Sequence, residues 1–206
     1  MVTTSSDRPS VKLRRILFRK DSREDETPSE EKKHKFYVLK MTWDQAWSKV
    51  DEIQEIIDTS DDLRNVTIRN LDPETDVEKF VRVYNRSFIS APDPYRSLTH
   101  DDFKHFDPES TFVAILYGQI VGFIFLTVEP LFKNSLEVGK QGVIAGLGVE
   151  PRYRRRKIAF LLAARAAEFF SDQSVDELIC EVYYKNKVSY SFIQNFGMTK
   201  TGIIYL

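Results

Sequence analysis

The sequence predicts an α+β fold, a mixed and mostly antiparallel sheet flanked by helices, and two observations carry most of that prediction. The apolar runs 111–117 and 120–128 flank Gly118-Gln119, which reads as an antiparallel hairpin. The apolar run 143–149, the helical periodicity of 158–170 and the apolar run 177–184 form a strand–helix–strand unit. Such a unit implies a parallel pair with a right-handed crossover.

The remaining elements follow in order. Residues 11–18 and 36–39 read as strands separated by a charged linker over 19–35, after a polar stretch at 1–10. Thr42 and Gln45 form a capping box that opens an amphipathic helix over 43–58, with Trp43, Trp47, Val50, Ile53, Ile56 and Ile57 along one face. Two tryptophans on one stripe call for burial against the domain that follows. Residues 66–71 are a strand, and Thr75 with Glu78 signals a cap for a helix whose face is Val77, Phe80, Val81, Tyr84 and Phe88. Pro92 and Pro94 break it, a shorter helix runs over 99–106, and 129–142 reads as a loop. A last helix over 187–195 turns Val188, Phe192 and Phe196 inward and stops at Gly197; the strand 199–206 ends the chain. That strand has an open edge, which the N-terminal strands are candidates to fill. The expected organisation is an N-terminal extension, 1–62, and a domain over 63–206.

Composition narrows the function classes. With 42% hydrophobic and 30% charged residues and a net charge of −1, the chain has no global pull toward nucleic acid or a membrane. No apolar run is long enough for a transmembrane helix and the N-terminus is too polar for a secretory signal, so a cytoplasmic protein is expected. The single cysteine, Cys180, sits in an apolar run and reads as core rather than as a nucleophile. His34, His100 and His105 lack metal-ligand spacing, and no metal is expected.

Any anion binding must therefore be local, and one place stands out. Five of the six residues 152–157 are cationic, and they sit where the helix beginning at Ile158 leaves its first amides unpaired. A helix start normally repels cations, so the cluster is more easily understood with a bound polyanion. Upstream, Ala145, Gly146 and Gly148 leave space beside the strand backbone for another molecule.

The segment from Gly146 through Val149, Pro151, Tyr153 and Arg154 to Ala159 resembles the acyl-CoA-binding motif of the GNAT superfamily of N-acetyltransferases. Arg154 matches the first position of its Arg/Gln-x-x-Gly-x-Gly/Ala signature and Ala159 the last, while Lys157 replaces the middle glycine. The resemblance implies a GNAT-like fold over about 66–206 and acetyl-CoA as co-substrate. It places the cofactor on Leu147, Gly148, Val149, Arg154, Arg155, Arg156, Lys157, Ile158 and Ala159. It also implies that the loop after the helix of 77–88, which holds Asp93 and Tyr95, helps form the acceptor site.

Glu181-Val182 followed by Asn186 is similar to a motif of ribosomal-protein-alanine-acetyltransferase-like members, which implies Glu181 as general base and puts Asn186 beside the cofactor. Strand alternation independently groups Glu181 with Ile179 and Tyr183, and a carboxylate among apolar neighbours is suited to accepting a proton near neutral pH. Those members carry a tyrosine where this chain has Ile193; Tyr190, one turn earlier, is a substitute acid, or the thiolate leaves unassisted. The leading expectation is transfer of an acetyl group to an amine or peptide acceptor by a monomer or homodimer. The alternative, suggested by Lys157 and Ile193, is a catalytically weak acyl-CoA-binding regulatory module.

Overall fold

The computed structural model describes residues 34–205, so the strand expected at 11–18 and nearly all of the charged linker lie outside the described residues. In chain order the elements are β1 (Lys35–Thr42), α1 (Trp43–Trp47), α2 (Val50–Asp58), β2 (Val66–Asn70), α3 (Val77–Ile89), β3 (Thr111–Leu116), β4 (Gln119–Lys133), β5 (Leu136–Val149), α4 (Ile158–Gln173), β6 (Glu177–Tyr183), α5 (Lys187–Asn195) and β7 (Thr199–Tyr205). Short 3-10 turns occupy Asp61–Leu63, Asp101–His105 and Pro151–Tyr153. The strands form one mixed sheet in the order β2-β3-β4-β5-β6-β1-β7, in which only β5 and β6 are parallel.

Alternation along the strands feeds two apolar layers. Leu39, Phe112, Ile124 and Leu126 pack under Leu162, Ala166 and Phe170 of α4. On the opposite face Phe80 and Tyr84 of α3 join Phe103, Phe106, Phe123 and Phe125. The ring centroids of Phe80 and Phe123 lie 5.4 Å apart, within the range of favourable edge contacts.

The N-terminal strand pairs with β7, as the sequence suggested: β1 lies inside the sheet, antiparallel to both neighbours, with Tyr37 opposite Val182 on β6 and Ile203 on β7. Among the described residues, β7 stands at one end of the sheet and β2 at the other.

The helix expected over 43–58 is two helices. The Thr42–Gln45 capping box is present in both directions, at 3.3 and 3.0 Å. The break follows from Ser48, whose hydroxyl donates to the Gln45 carbonyl at 2.8 Å, while the Lys49 amide bonds back to Ala46 instead. Trp43 is half-buried but Trp47 is 54% exposed, so the expected burial of both tryptophans does not hold.

Three further differences have local causes. Thr75 does not cap α3: its hydroxyl donates to Asp72, and the helix starts after Asp76, a buried carboxylate gripped by Arg69 at 2.6 and 2.8 Å. Residues 129–142 are not a loop but the arms of a long hairpin turning at Asn134-Ser135, both at positive φ (49° and 66°) as a type I′ turn requires. Pro130 is tolerated there because alternation points its missing donor away from β5, beyond the end of β3. Val188, expected inside, is 82% exposed; Phe192 and Phe196 meet Phe160 of α4 at 5.7 and 5.3 Å, and Tyr190 and Ile193 pack against the core.

Candidate active site

β5 and β6 pair only from Gln141↔Glu177 to Ile144↔Cys180. The separation has a cause in β5: Phe125 pairs with Gly146 and Leu126 with Ile144, leaving Ala145 as the extra residue of a bulge. A bulge bends its strand and ends local pairing. β6 meanwhile stays with β1, Glu181 opposite Val38, so a wedge opens between Ala145 and Glu181.

Along the wedge, alternation decides which amides are free. Glu150 donates to Val121 of β4, so the amides of Val149 and Leu147 point the other way, into the opening. A cavity of about 510 Å³ occupies the wedge. Ala145, Leu147, Ala163 and Phe192 are among its apolar walls, and Asp93, Glu129 and Glu181 are its carboxylates.

The space at the β5 glycines is filled from within. A Cβ on Gly146 would stand 2.1 Å from the Phe125 ring, and one on Gly148 would stand 2.4 Å from the Phe123 ring. These glycines admit aromatic rings of β4, not the ligand; the wedge itself makes the room expected of them.

At the wide end the basic loop divides its labour. Arg154 turns inward, donating from Nε to the Val149 carbonyl at 3.0 Å and from Nη2 to the Ser87 carbonyl at 2.7 Å, which ties the end of β5 to α3. Arg152 and Arg86 both reach the buried Glu150, at 2.8 and 3.0 Å. Among the described residues, Arg155, Arg156 and Lys157 make no ion pair, and the amides of residues 155–159 find no protein acceptor. Those amides and the positive end of the α4 dipole share one segment with three exposed cations, of which Arg156 stands 5.8 Å from the Tyr153 ring centroid, a combination suited to an anion.

Backbone geometry explains the family glycine. Lys157 caps α4 in the left-handed region at φ 60°, and Arg155 precedes it at φ 63°. A side chain there costs roughly 1–2 kcal/mol. Lys157→Gly is therefore expected to stabilise the ligand-free protein by about 1 kcal/mol, a rise of roughly 2–4 °C in Tm. A lower Tm in a thermal melt would contradict this geometry.

At the apex, Glu181 is the first β6 residue past the last β5–β6 pair and lines the cavity. Asn186 caps α5, its Oδ1 accepting from the Ser189 amide at 3.1 Å while its Nδ2 donates to Asp93 at 2.6 Å. Burial raises the Asp93 carboxyl above the usual aspartate range, against the opposing hydrogen bond from Asn186. Asp93 was legible only as part of a proline-stiffened turn; its partner, 93 residues away, was not. Ile193 lines the cavity, whereas Tyr190 stacks edge-on against Tyr37 of β1 at 5.4 Å and is not among the lining residues. Tyr190 is thus not brought to the carboxylates.

Cys180 is buried, 3.6 Å from the Met198 sulfur, and burial with the nearby Glu181 charge pushes its thiol up to about 12. It is core, as the sequence implied. Thiol-specific reagents at pH 8 are expected to leave the native protein unmodified and to label it only after unfolding; rapid native labelling would show that Cys180 opens to solvent.

A sheet splayed at a bulge, with free amides at a helix start beyond the splay, defines a protein of the acyl-CoA N-acyltransferase fold. The family model described as acetyltransferase (GNAT) family matches residues 77–198, over half of the chain, and the chain belongs to that family. Among similar proteins are N-alpha-acetyltransferase 30 of Dictyostelium discoideum, 28% identical over 53% of this chain and 56% of its own length, and that of Homo sapiens, 28% identical over 52% of this chain and 29% of its own. The matched region thus spans about half, or less, of those relatives. Among solved structures, the NatC complex bound to Gag peptide and CoA aligns at TM-score 0.53 and 20% identity, over 67% of this chain and 87% of that one. The ribosomal-protein-S18-alanine N-acetyltransferase of Escherichia coli aligns at 0.52 and 16%, over 66% and 79%. These likenesses establish the fold. No described helix is long and apolar enough to cross a membrane, and no described group of His, Cys, Asp and Glu could hold a metal.

Proposed function

We propose that the chain is an acetyl-CoA-dependent N-acetyltransferase acting on a primary amine, with a protein N-terminus as the favoured acceptor class. The observation that carries the reading is the wedge: carboxylates at its apex, an apolar channel walled by Leu147 and Ala163, and a run of unpaired amides at the start of α4, beyond the end of β5. The relatives named N-alpha-acetyltransferase favour a protein N-terminus over a small amine.

The residues fit the co-substrate. The amides of 155–159, with Arg155, Arg156 and Lys157, take the pyrophosphate; Ile158 and Ala159 supply the first helical amides. The pantetheine arm, itself rich in amide groups, lies along the free edge of β5 beside Leu147, Gly148 and Val149. Either wedge-facing amide, Leu147 or Val149, can stabilise the oxyanion that forms on the thioester carbonyl. Arg154 serves by fixing β5 rather than by touching phosphate, and Asn186 by holding Asp93 and starting α5.

Glu181 accepts the proton of the acceptor ammonium. The amine lone pair then forms the C–N bond, the C–S bond breaks, and the departing thiolate takes the second nitrogen proton through solvent. No tyrosine is required, because a thiol of pKa near ~8.5 is a competent leaving group.

The test is release of free coenzyme A thiol when the protein is mixed with acetyl-CoA and a panel of peptides with free N-termini, lysine side chains or small amines. Turnover with at least one N-terminal peptide is expected. Tight acetyl-CoA binding without turnover on any acceptor would leave the regulatory-module reading, which Ile193 favours. In the same preparation, acetyl-CoA is expected to raise the Tm, and Arg155→Glu with Arg156→Glu to abolish that rise, since both side chains are exposed and unpaired among the described residues. An undiminished rise in the double variant would move the phosphate site elsewhere.

A further inference from the structure

Asp93 carries an unmatched charge. Its carboxylate lines the cavity and accepts hydrogen bonds only from neutral donors, Asn186 Nδ2 at 2.6 Å and its own backbone amide. Among the described residues no Lys, Arg or His comes within ion-pair distance of it. The nearby cation of its own loop, Arg96, is committed to Asp102 at 2.6 Å. Taking a carboxylate out of water without a cation is costly, and proteins retain such groups where a ligand completes them.

The surrounding charges point the same way. Glu129 and Glu181 line the same cavity, and the one lysine among its lining residues, Lys49, lies just ahead of α2, on the face of the sheet where α2 packs against α4. Tyr84 of α3 lies close enough to feel the Asp93 charge, together with Arg96, Tyr95 and Asp102. Burial, against the opposing charge of Arg96, raises the Tyr84 phenol well above its ordinary value, so it stays neutral. The acceptor end of the wedge thus holds Asp93, without a cation among the described residues, in a partly desolvated pocket beside an apolar channel.

We infer that Asp93 is the anchor for the acceptor's ammonium group: it pairs with the cation in the bound state, while Asn186 positions the carboxylate toward the wedge. The inference rests on the proposed acetyl transfer and adds the acceptor's charge pattern. The site selects a primary ammonium with no carboxylate beside it, as in a peptide N-terminus or a polyamine, and rejects a free amino acid zwitterion, whose carboxylate would meet that of Asp93. Glu181 at the apex then takes the proton from an amine that Asp93 has already oriented.

The experiment separates this role from a structural one. Chemical-shift titrations of the full chain, with and without CoA, use butylammonium, spermidine and Ala-Ala-Ala-amide as probes, with N-acetyl-Ala-Ala-Ala-amide and zwitterionic alanine as controls. At least one primary-amine probe is expected to bind, the controls are not, and Asp93→Asn is expected to weaken the amine at least 10-fold while leaving acetyl-CoA affinity unchanged. Equal amine binding in Asp93→Asn, or no amine bound better than its N-acetylated control, overturns the inference. Failure of acetyl-CoA itself to bind overturns the transferase reading instead, so the two failures are distinguishable.

The same variant supplies a second readout. Because burial raises the Asp93 pKa in the folded state, its ionisation opposes folding above the ordinary aspartate range and does not below it. Asp93→Asn, which keeps an oxygen for Asn186, is expected to raise the ligand-free Tm at pH 7, with the gain vanishing below about pH 4. A Tm that falls at pH 7 would show Asp93 to be a structural group and overturn the inference.

Discussion

Glu181→Gln is expected to lower turnover by roughly 10²- to 10⁴-fold, the usual range for loss of a general base. The acetyl-CoA-induced rise in Tm should persist, because the substitution sits at the apex of the wedge, away from the anion site. Glutamine keeps the shape of the side chain and its place opposite Val38, so the loss would report the proton step and not the packing. Tyr190→Phe is expected to leave the rate nearly unchanged, since its ring faces Tyr37. Steady-state kinetics on the best acceptor decides both; a Glu181→Gln enzyme with near-parental kcat would place the base elsewhere, with Asp93 the next group to examine.

Leu39→Ala is expected to destabilise the protein by about 2–5 kcal/mol, the cost of truncating a fully buried leucine, and so to lower the Tm by roughly 5–20 °C. Leu39 has no exposed surface, and its strand holds β6 on one side and β7 on the other. The effect reaches the site because, among the described residues, β1 is the only strand still paired with the part of β6 that carries Glu181. Removing residues 1–60 is expected to give an aggregating product, as it strips a shared partner from two strands and leaves their edges open. A soluble truncation with parental stability would contradict the interior position of β1.

The local elements were legible because local physics determines them. Thr42 and Gln45 cap a helix wherever they meet, Gly197 at φ 93° closes α5, and the 158–170 periodicity needed only a buried face. The proposed anion site rests on the same kind of local signal: cations at a helix start are unusual enough to require an explanation. The misses were non-local or competitive. The pairing of β1 with β7 was anticipated, but its second partner, β6, is a choice among edges that no single segment encodes. Pro130 and the polar turn at Asn134-Ser135 resembled loop chemistry, yet proline on an open edge and residues at positive φ are what a long hairpin arm requires. Gly146 and Gly148 did signal close approach, but of Phe125 and Phe123 from the neighbouring strand. Arg154 was grouped with the anion-binding cations by its neighbours in sequence, although two backbone carbonyls claim its guanidinium. The bulge at Ala145, on which the whole site depends, has no side-chain signature beyond the small residues around it.

The central claim is that the wedge between β5 and β6 holds acyl-CoA with its pyrophosphate on the first amides of α4. The most direct measurement is a backbone amide chemical-shift map of the protein titrated with acetyl-CoA. The account predicts the largest changes at residues 155–159 and at Leu147 and Val149, with little change along β2 and β3. Saturable binding that leaves residues 155–159 unmoved, or no binding at all, would contradict it.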